Sequence, residues 1–329
     1  MNLGLIDILA CPDCANRPSF DLAVVEQAGQ NILSGRLTCP ACRRVFPIIR
    51  GIPRFVADAE DYCDNFSYEW NRWGTVQIDR LAGHRLSTRR FLADTRWPEA
   101  WFKGKLVLDA GCGAGRFADV ASGLGARVVA VDISGAVEAA RANVTAPIDV
   151  IQASLRRLPF RPGTFDGIYC FGVIQHTPDP GAVMSELPRF LKAGGQLAYN
   201  FYEFDWRTRF QPIKYALRRV TPDLSLAVLH RLVLALTILF FPLSWLLGHI
   251  RYVRFVNIML PICATHNREL SLRQQFMWTL LDTFDWYSPR YEFRQSHAAV
   301  ADILRRSGLE DVASAPGLAW GRMPASPKQ

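Results

Sequence analysis

The amino-acid sequence predicts an α/β protein built on a doubly wound, largely parallel sheet, and three observations support this prediction. An apolar run at residues 106–108 is followed by glycines at alternate positions, as in a strand that passes through a tight turn into a helix. A second β-type run occupies residues 127–131. From residue 104 onward, strand-like and helix-like segments alternate along the chain.

The turn after the first strand has the pattern of a nucleoside-binding site. Its glycines are Gly111, Gly113 and Gly115, and glycine is needed where the backbone bends sharply and a ligand approaches the peptide groups. The helix that follows presents unpaired N–H groups and the positive end of its dipole to the turn. Asp132, about 20 residues further on, can accept hydrogen bonds from both hydroxyls of a ribose. No Walker-type P-loop sequence is present, which argues against that kind of phosphate site.

Residues 107–117, VLDAGCGAGRF, resemble the first motif of class I S-adenosylmethionine-dependent methyltransferases, in a form similar to methyltransferase type 11 domains. The resemblance implies a Rossmann-like sheet of seven strands. It also implies that Asp109 and the glycine backbone hold the methionine end of S-adenosylmethionine, and that Asp132 binds its ribose. Further cofactor contacts are implied for Arg116, Ile133, Ser154, Leu155 and Phe171.

Two residues beyond this motif concern the recognition of adenine and the methyl-transfer step. Ser154, after a strand predicted at 148–152, occupies the place where these methyltransferases commonly have an acid that contacts the adenine amino group. A hydroxyl can still accept a hydrogen bond, so this departure weakens the adenine assignment without removing the cofactor. His176 follows a fourth strand predicted at 165–170, at the sheet edge where ligands bind. It is predicted either as a general base or as a positioning residue, because methyl transfer from a sulfonium depends mainly on alignment and desolvation.

Residues 1–56 predict a separate small domain with a structural zinc site. Two CPxC pairs supply four thiolates suited to tetrahedral zinc, those of Cys11, Cys14, Cys39 and Cys42. So short a segment needs the folding energy of the metal. Residues 42–55, CRRVFPIIRGIPRF, resemble the ending of Trm112-like zinc-binding domains.

Charge and cysteine usage restrict the partners and the cellular compartment of the protein. The net charge is +8, which suits an anionic partner such as nucleic acid, a membrane surface or a phosphorylated lipid. Residues 36–54 contain five arginines and no acid, which predicts an RNA-binding, a solvated or a docking surface. The four cysteines outside the CPxC pairs are scattered in apolar surroundings, which indicates a reducing, cytoplasmic compartment. Asp7 interrupts the first apolar run, so export is not expected.

Residues 57–103 are predicted to form a helical lid or linker with a helix over 81–91, because in class I methyltransferases the segment before the first strand commonly covers the cofactor. The lid contains an aromatic series: Tyr62, Phe66, Tyr68, Trp70 and Trp73. The methyltransferase domain itself is predicted at 104–202 and 291–324. In it, a helix over 184–191 should end at Gly194 and Gly195, and the fifth strand should cover 196–201.

An apolar helical insertion is predicted at 203–290, because the last helix and closing strands of the family resemble 296–312 and 317–323. Residues 232–250 are uncharged, and Pro242 predicts a helical hairpin rather than a simple membrane span. Residues 224–256 are expected either to contact a membrane peripherally or to form a buried lid or a dimer surface. Basic residues flank this segment: Arg207, Arg209, Lys214, Arg218, Arg219, Arg251 and Arg254. Residues 281–296 are expected to border the acceptor pocket.

These observations favour a cytoplasmic S-adenosylmethionine-dependent methyltransferase at the inner face of the membrane, with a small-molecule or lipid-linked acceptor. The alternative is a tRNA or rRNA methyltransferase guided by the zinc domain. A non-catalytic scaffold that keeps the fold is a third hypothesis. Nitrogen, oxygen and carbon acceptors all occur on this fold, so the atom that is methylated stays open.

Overall fold

The computed structural model describes residues 1–56, 63–203 and 210–325, and within them the chain forms two sheets. Tyr62, Arg207 and Arg209 lie outside these ranges. The first sheet is antiparallel, in the order β1-β2-β3-β4. Its strands are β1 (Asp21–Ala28), β2 (Asn31–Thr38), β3 (Val45–Ile49) and β4 (Ile52–Pro53).

The second sheet has seven strands in the order β10-β11-β9-β8-β5-β6-β7, which confirms the predicted doubly wound architecture. Strands β5 to β9 pair in parallel, whereas β11 is antiparallel to both β9 and β10. The strands are β5 (Leu106–Ala110), β6 (Arg127–Asp132), β7 (Asp149–Gln152), β8 (Phe165–Cys170), β9 (Leu191–Asn200), β10 (Glu310–Ala315) and β11 (Leu318–Arg322).

Helices cover both faces of this sheet and its carboxyl edge. In chain order the helices are α1 (Asp64–Trp73), α2 (Asp79–Ala82), α3 (Leu86–Thr95), α4 (Arg116–Gly123), α5 (Val137–Asn143), α6 (Pro180–Glu186), α7 (Pro212–Arg218), α8 (Leu226–His249), α9 (Leu272–Tyr287) and α10 (His297–Arg306). The central strands are buried on both faces, as expected for a parallel sheet between helices.

The lid helix predicted over 81–91 is wrong in its extent, because two helices occupy this region. Helix α2 ends at Gly83, whose φ of 72° reverses the backbone. The carboxylate of Asp79 then accepts hydrogen bonds from the backbone N–H groups of Ser87 (2.9 Å) and Thr88 (2.8 Å). A side-chain cap therefore starts α3 separately, which periodicity alone could not predict.

The helix predicted over 184–191 and the strand predicted from 196 are also displaced. Helix α6 ends at Glu186 and passes into a single 3-10 turn that contains Pro188, which has no N–H group to continue the helix. Strand β9 begins at Leu191, which pairs with Phe165. The two glycines at 194 and 195 consequently lie inside the strand rather than before it.

The helical hairpin expected at Pro242 is wrong, because α8 runs through this proline as one helix of 24 residues. The ring lies on the exposed face of the helix, whereas the opposite face has a continuous buried stripe. That stripe consists of Leu229, Val233, Thr237, Phe241 and Ser244. Before the proline, Leu229 and Val233 join an apolar cluster with residues of α9. After it, the Ser244 hydroxyl bonds to Nε2 of His266 (3.1 Å), so tertiary contacts on both sides of the proline hold the helix together.

The zinc-type domain packs against the segment that follows β7. The Phe55 N–H donates to the Gln152 carbonyl (2.7 Å), and the Ala10 N–H donates to the Pro159 carbonyl (2.9 Å). The guanidinium of Arg17 donates to the carbonyls of Leu158 (2.8 Å) and Phe160 (2.9 Å). The small domain therefore holds residues 152–160 by backbone groups at several points.

The arginine run of residues 36–54 is in part a docking surface. Arg50 and Arg54 both pair with Glu138 of α5, and Arg54 also bonds to Gln152 (2.6 Å). Arg44 pairs with Asp13 inside the small domain. The remaining two arginines of the run, Arg36 and Arg43, are exposed.

Replacing Arg17 by methionine is expected to destabilise the protein by about 2–4 kcal/mol. The side chain is 10% exposed, and its loss leaves the carbonyl groups of Leu158 and Phe160, in the segment after β7, without their donor, at about 1–3 kcal/mol each. Urea unfolding measures the change. Arg36→Met is the matched control, because Arg36 is exposed and its replacement should change the free energy of unfolding by less than about 0.5 kcal/mol. Equal effects of the two variants would contradict the docking role.

Candidate cofactor and acceptor site

A cavity of about 200 Å³ lies between the carboxyl edge of the seven-stranded sheet and the helices α1, α3 and α9. Most of the residues predicted to bind the cofactor or to act on the acceptor line its wall. These are Gly111, Gly113, Arg116, Asp132, Ile133, Ser154, Leu155, Phe171 and His176. The sheet edge is where ligands bind in open α/β folds, so the fold and the predicted residues agree on the site.

The glycine turn has no space for side chains at Gly111 and Gly113. Gly111 and Gly113 have φ values of 87° and 50°, a conformation that favours glycine. A Cβ atom at Gly111 would lie 2.3 Å from a methyl carbon of Val173, and one at Gly113 would lie 3.2 Å from the Trp70 ring. Gly115 is not part of the cavity wall; its φ of 88° starts α4, and its Cα faces α5.

Asp132 lies at the end of β6 and is bonded to the glycine turn. One carboxylate oxygen accepts from the Gly113 N–H (2.9 Å), and the other accepts from the Ser134 N–H (2.9 Å) and hydroxyl (2.7 Å). Burial raises the pKa of Asp132, and these hydrogen bonds oppose that shift. Since a carboxylate offers about four acceptor positions, the group keeps capacity for a ligand.

Asp109 lies beneath the turn and outside the cavity wall. It is 2% exposed, and burial raises its pKa to about 8, so it is largely protonated at neutral pH. A direct contact between Asp109 and the methionine end of the cofactor stays a prediction. Within the fold the residue supports the turn from below.

Arg116 lines the cavity and also bonds to the lid, and its contact with the cofactor stays a prediction. Its guanidinium donates to the Ser87 hydroxyl (2.8 Å) and to the Gln77 side-chain carbonyl (2.8 Å), and it lies 5.2 Å from the centre of the Trp278 ring. Burial lowers its pKa to about 9, so the group remains charged at neutral pH. Arg116 therefore ties the lid and α9 to the start of α4.

Ile133, Ser154 and Leu155, which are predicted to contact the cofactor, line one side of the cavity. The Ser154 hydroxyl accepts only a long bond from the Arg156 N–H (3.4 Å), so it can also face a ligand. Both Ser154 and Leu155 belong to the segment that the small domain holds in place.

His176 is buried in the cavity wall, with 6% of its surface exposed. Its Nδ1 donates to the Tyr291 carbonyl (2.9 Å), which leaves Nε2 as an acceptor, and Nε2 has no partner among the described residues. Burial lowers the pKa to about 4. The imidazole is thus neutral at physiological pH and is a weak base, which suits a positioning role better than proton abstraction.

The other end of the cavity includes residues from the lid and the insertion. Three residues of the segment 281–296, which is predicted to border the acceptor pocket, line this cavity: Leu281, Asp282 and Asp285. The lid adds Gln77, between α1 and α2, and Arg90 of α3, which the sequence interpretation missed. Two acids three residues apart in an apolar helix were the available sequence signal for Asp282 and Asp285.

The four predicted zinc ligands come together in the small domain. Their Sγ atoms all lie within 4.8 Å of one another, and the Cys11–Cys42 and Cys14–Cys39 pairs are each 3.7 Å apart. A Zn–S distance of about 2.3 Å in a tetrahedron requires an S–S separation of about 3.8 Å. The thiol geometry therefore fits a four-coordinate metal with no open position.

Helix α8 presents an apolar outer face. In the described part of the chain it is the one helix long and apolar enough to cross a membrane, by length and composition alone, and 22% of its most apolar window is buried. Ile238, Leu239 and Leu246 are 59%, 68% and 56% exposed. The wholly buried lid considered for this segment is therefore not observed. Arg219, Arg251 and Arg254 of the basic flanks are exposed, whereas Lys214 is buried and Arg218 pairs with Glu292.

Two family models match separate parts of the chain. Residues 108–199 match the model described as a methyltransferase domain, and residues 2–51 match the model described as Trm112p-like protein. The first match covers the glycine turn, Asp132, Ser154 and His176. The second covers all four clustered cysteines.

Two relatives match part of the chain. The ubiquinone biosynthesis O-methyltransferase of Thiobacillus denitrificans is 32% identical over 142 residues, which are 41% of this chain and 60% of that protein. The protein of the same name from Xanthomonas campestris pv. campestris is 32% identical over 139 residues, 41% of this chain and 57% of that protein. The match thus spans about three fifths of the length of these relatives.

Among solved structures, the complex between the Haloferax volcanii Trm112 methyltransferase activator and a methyltransferase contains a chain 16% identical to this one, with a TM-score of 0.45 and coverage of 79% of this chain and 98% of that chain. The magnesium protoporphyrin IX methyltransferase of Synechocystis PCC 6803 is also 16% identical, with a TM-score of 0.45 and coverage of 80% and 97%. From the two family matches, the chain contains a methyltransferase domain joined to an N-terminal Trm112p-like domain.

Proposed function

We propose that the protein transfers a methyl group from S-adenosylmethionine to a small-molecule or lipid-linked acceptor in the cytoplasm, at the inner face of the membrane. The observation that carries this proposal is the cavity at the sheet edge, which joins the glycine turn and Asp132 at one end to His176 and the carboxylates of α9 at the other. The O-methyltransferase names of the relatives favour a hydroxyl as the group that is methylated.

The residues present fit the cofactor. Gly111 and Gly113 place backbone without side chains in the cavity wall, Asp132 keeps acceptor positions for a ribose, and Ile133, Ser154 and Leu155 offer an adenine surface. The bound cofactor supplies an electrophilic methyl group on a sulfonium. The protein orients the acceptor and excludes water, for which the buried Nε2 of His176 provides a fixed hydrogen-bond acceptor.

The cysteine cluster is assigned to a structural zinc ion. Four thiolates and no open position give the metal a structural rather than a catalytic role. In this proposal the zinc ion stabilises the domain that holds residues 152–160 of the cavity wall.

The acceptor class is tested by incubating the purified protein with methyl-labelled S-adenosylmethionine and either a lipid extract or total RNA from cells that lack it. Label in the lipid extract is the expected result. The RNA alternative rests on the Trm112p-like domain and on the exposed Arg36 and Arg43. Label in RNA alone would establish that alternative and reject the lipid-linked acceptor.

Membrane contact through α8 is the second part of the proposal. The outer face of α8 exposes apolar side chains, residues 224–268 contain no acid, and Arg219, Arg231, Arg251 and Arg254 are exposed around it. Apolar surface with a basic border is complementary to a leaflet rich in anionic lipid. We therefore propose that this face contacts such a leaflet rather than a second copy of the chain.

The variant Leu239→Ser/Leu246→Ser is expected to bind vesicles of phosphatidylglycerol and phosphatidylcholine at least about tenfold more weakly. Each leucine is more than half exposed, and its insertion contributes about 1.5–3 kcal/mol when complete. Flotation measures the bound fraction. Val25→Ser is the matched control, since Val25 is 81% exposed on the small domain. Equal flotation of all forms, or dimers that are lost in the double variant, would reject the membrane assignment.

A further inference from the structure

The acceptor end of the cavity contains one carboxylate that the fold does not use. Of the three aspartates in the wall, Asp132 accepts three hydrogen bonds, and Asp282 accepts bonds from Thr265 (3.0 Å) and Gln77 (3.4 Å). Asp285 makes no hydrogen bond or ion pair with the residues that the structure describes, and it lies one helical turn beyond Asp282 on α9. Both aspartates of α9 are half-buried.

From this arrangement we propose that Asp285 is the general base that receives the proton of the acceptor hydroxyl. This inference rests on the proposed methyl transfer. It assigns the catalytic base to the insertion, outside the residues 108–199 that match the methyltransferase model.

The surroundings of Asp285 suit a base that works near neutral pH. Burial raises its pKa to about 6; Arg218 opposes this shift, Glu292 adds to it and Arg90 opposes it. It is therefore ionised at pH 7 and still basic enough to take a proton, whereas His176, with a pKa near 4, is a much weaker base. The other charged or titratable groups that interact with Asp285 are Glu69, Asp282, Tyr202 and Cys263.

Glu69 of α1 is a third carboxyl group that interacts with Asp285 and Asp282. It is fully buried, and neither carboxyl oxygen has a partner among the described residues. Burial first, and then the charges of Asp285 and Asp282, raise its pKa well above the usual value. This shift favours the protonated form of Glu69, which adds no negative charge beside Asp285.

The step is balanced without a further reactant. The acceptor oxygen forms a bond to the methyl carbon while its proton passes to the Asp285 carboxylate. The carbon–sulfur bond breaks, and its electron pair stays on the sulfur of the leaving thioether. The positive charge of the sulfonium and the negative charge of the carboxylate are both neutralised, and the proton leaves Asp285 for water when the products leave.

The test compares Asp285→Asn with wild type, using labelled S-adenosylmethionine and the lipid extract of cells that lack the protein. Wild-type rate should rise about tenfold per pH unit up to pH 6 and then level, because the base must be ionised. Asp285→Asn should lower kcat by about 100-fold or more and should abolish the rise of the rate with pH, which is the acidic limb of the pH profile. The cofactor Kd should not change. Asp302→Asn, an exposed carboxylate on α10, should behave as wild type.

A ligand-free measurement accompanies the rates. Infrared difference spectra of wild type against Asp285→Asn should contain a carboxyl group that titrates near pH 6. A rise in KM alone, with kcat and the pH limb retained, would reduce Asp285 to a binding group and overturn the inference. Retention of the limb in Asp285→Asn but its loss in Asp282→Asn would assign the base to Asp282. A wild-type protein that binds cofactor but labels no lipid would instead contradict the proposed acceptor.

Discussion

Replacing Asp132 by alanine is expected to weaken S-adenosylmethionine binding by at least about 100-fold. The carboxylate is the charged acceptor at the end of β6, and each hydrogen bond to a charged group contributes about 1.5–3 kcal/mol. The change also removes the acceptor of the Gly113 N–H, so the glycine turn loses its contact with β6. Isothermal titration calorimetry with S-adenosylmethionine measures the loss.

Ser134→Ala separates the two effects of this substitution. It removes the hydroxyl that donates to Asp132 (2.7 Å) but leaves the carboxylate and its bond to Gly113. Its affinity for the cofactor should fall by less than about tenfold, which is about 1.4 kcal/mol. Equal losses in both variants would mean that Asp132 supports the turn without contacting the ligand. Undiminished binding by Asp132→Ala would contradict the proposed site itself.

Removing the metal ligands is expected to unfold the small domain and to weaken cofactor binding about tenfold or more. In Cys11→Ser/Cys14→Ser the cluster loses two thiolates, and structural zinc sites contribute about 10–16 kcal/mol to the folding of small domains. Residues 152–160 then lose the hydrogen bonds from Ala10, Arg17 and Phe55. Ordering each freed residue again on binding costs about 1–2 kcal/mol.

Metal analysis, hydrogen exchange of the amides in 152–160 and cofactor titration together measure this effect. Cys263→Ser is the matched control, because this thiol lies outside the cluster and the variant should keep its zinc, its amide protection and its affinity. If the cluster variant lost zinc but retained full cofactor affinity and amide protection, the two domains would be energetically independent.

The parts of the structure that the sequence predicted well are those that local spacing specifies. The glycine turn lies beside Asp132, and the four cysteines lie beside one another, because the members of each group are separated along the chain by only a turn, a helix and strand, or a hairpin. The sheet order follows from the alternating strands and helices. Element boundaries were predicted less well. The cap that Asp79 provides for α3 and the continuity of α8 through Pro242 both depend on contacts with distant residues.

The sequence by itself determined the glycine turn with Asp132, the cysteine cluster and the seven-stranded sheet, since these follow from residue types at short, fixed separations. Tertiary structure decided which distant residues line the cavity. It brought Asp285 and Asp282 of α9 to the same cavity as Gly111 and His176, and it bonded Arg116 to Ser87 and Gln77 of the lid. These contacts join segments that are far apart in the chain. Their partners are selected by how the helices pack over the sheet edge, which periodicity and spacing do not encode.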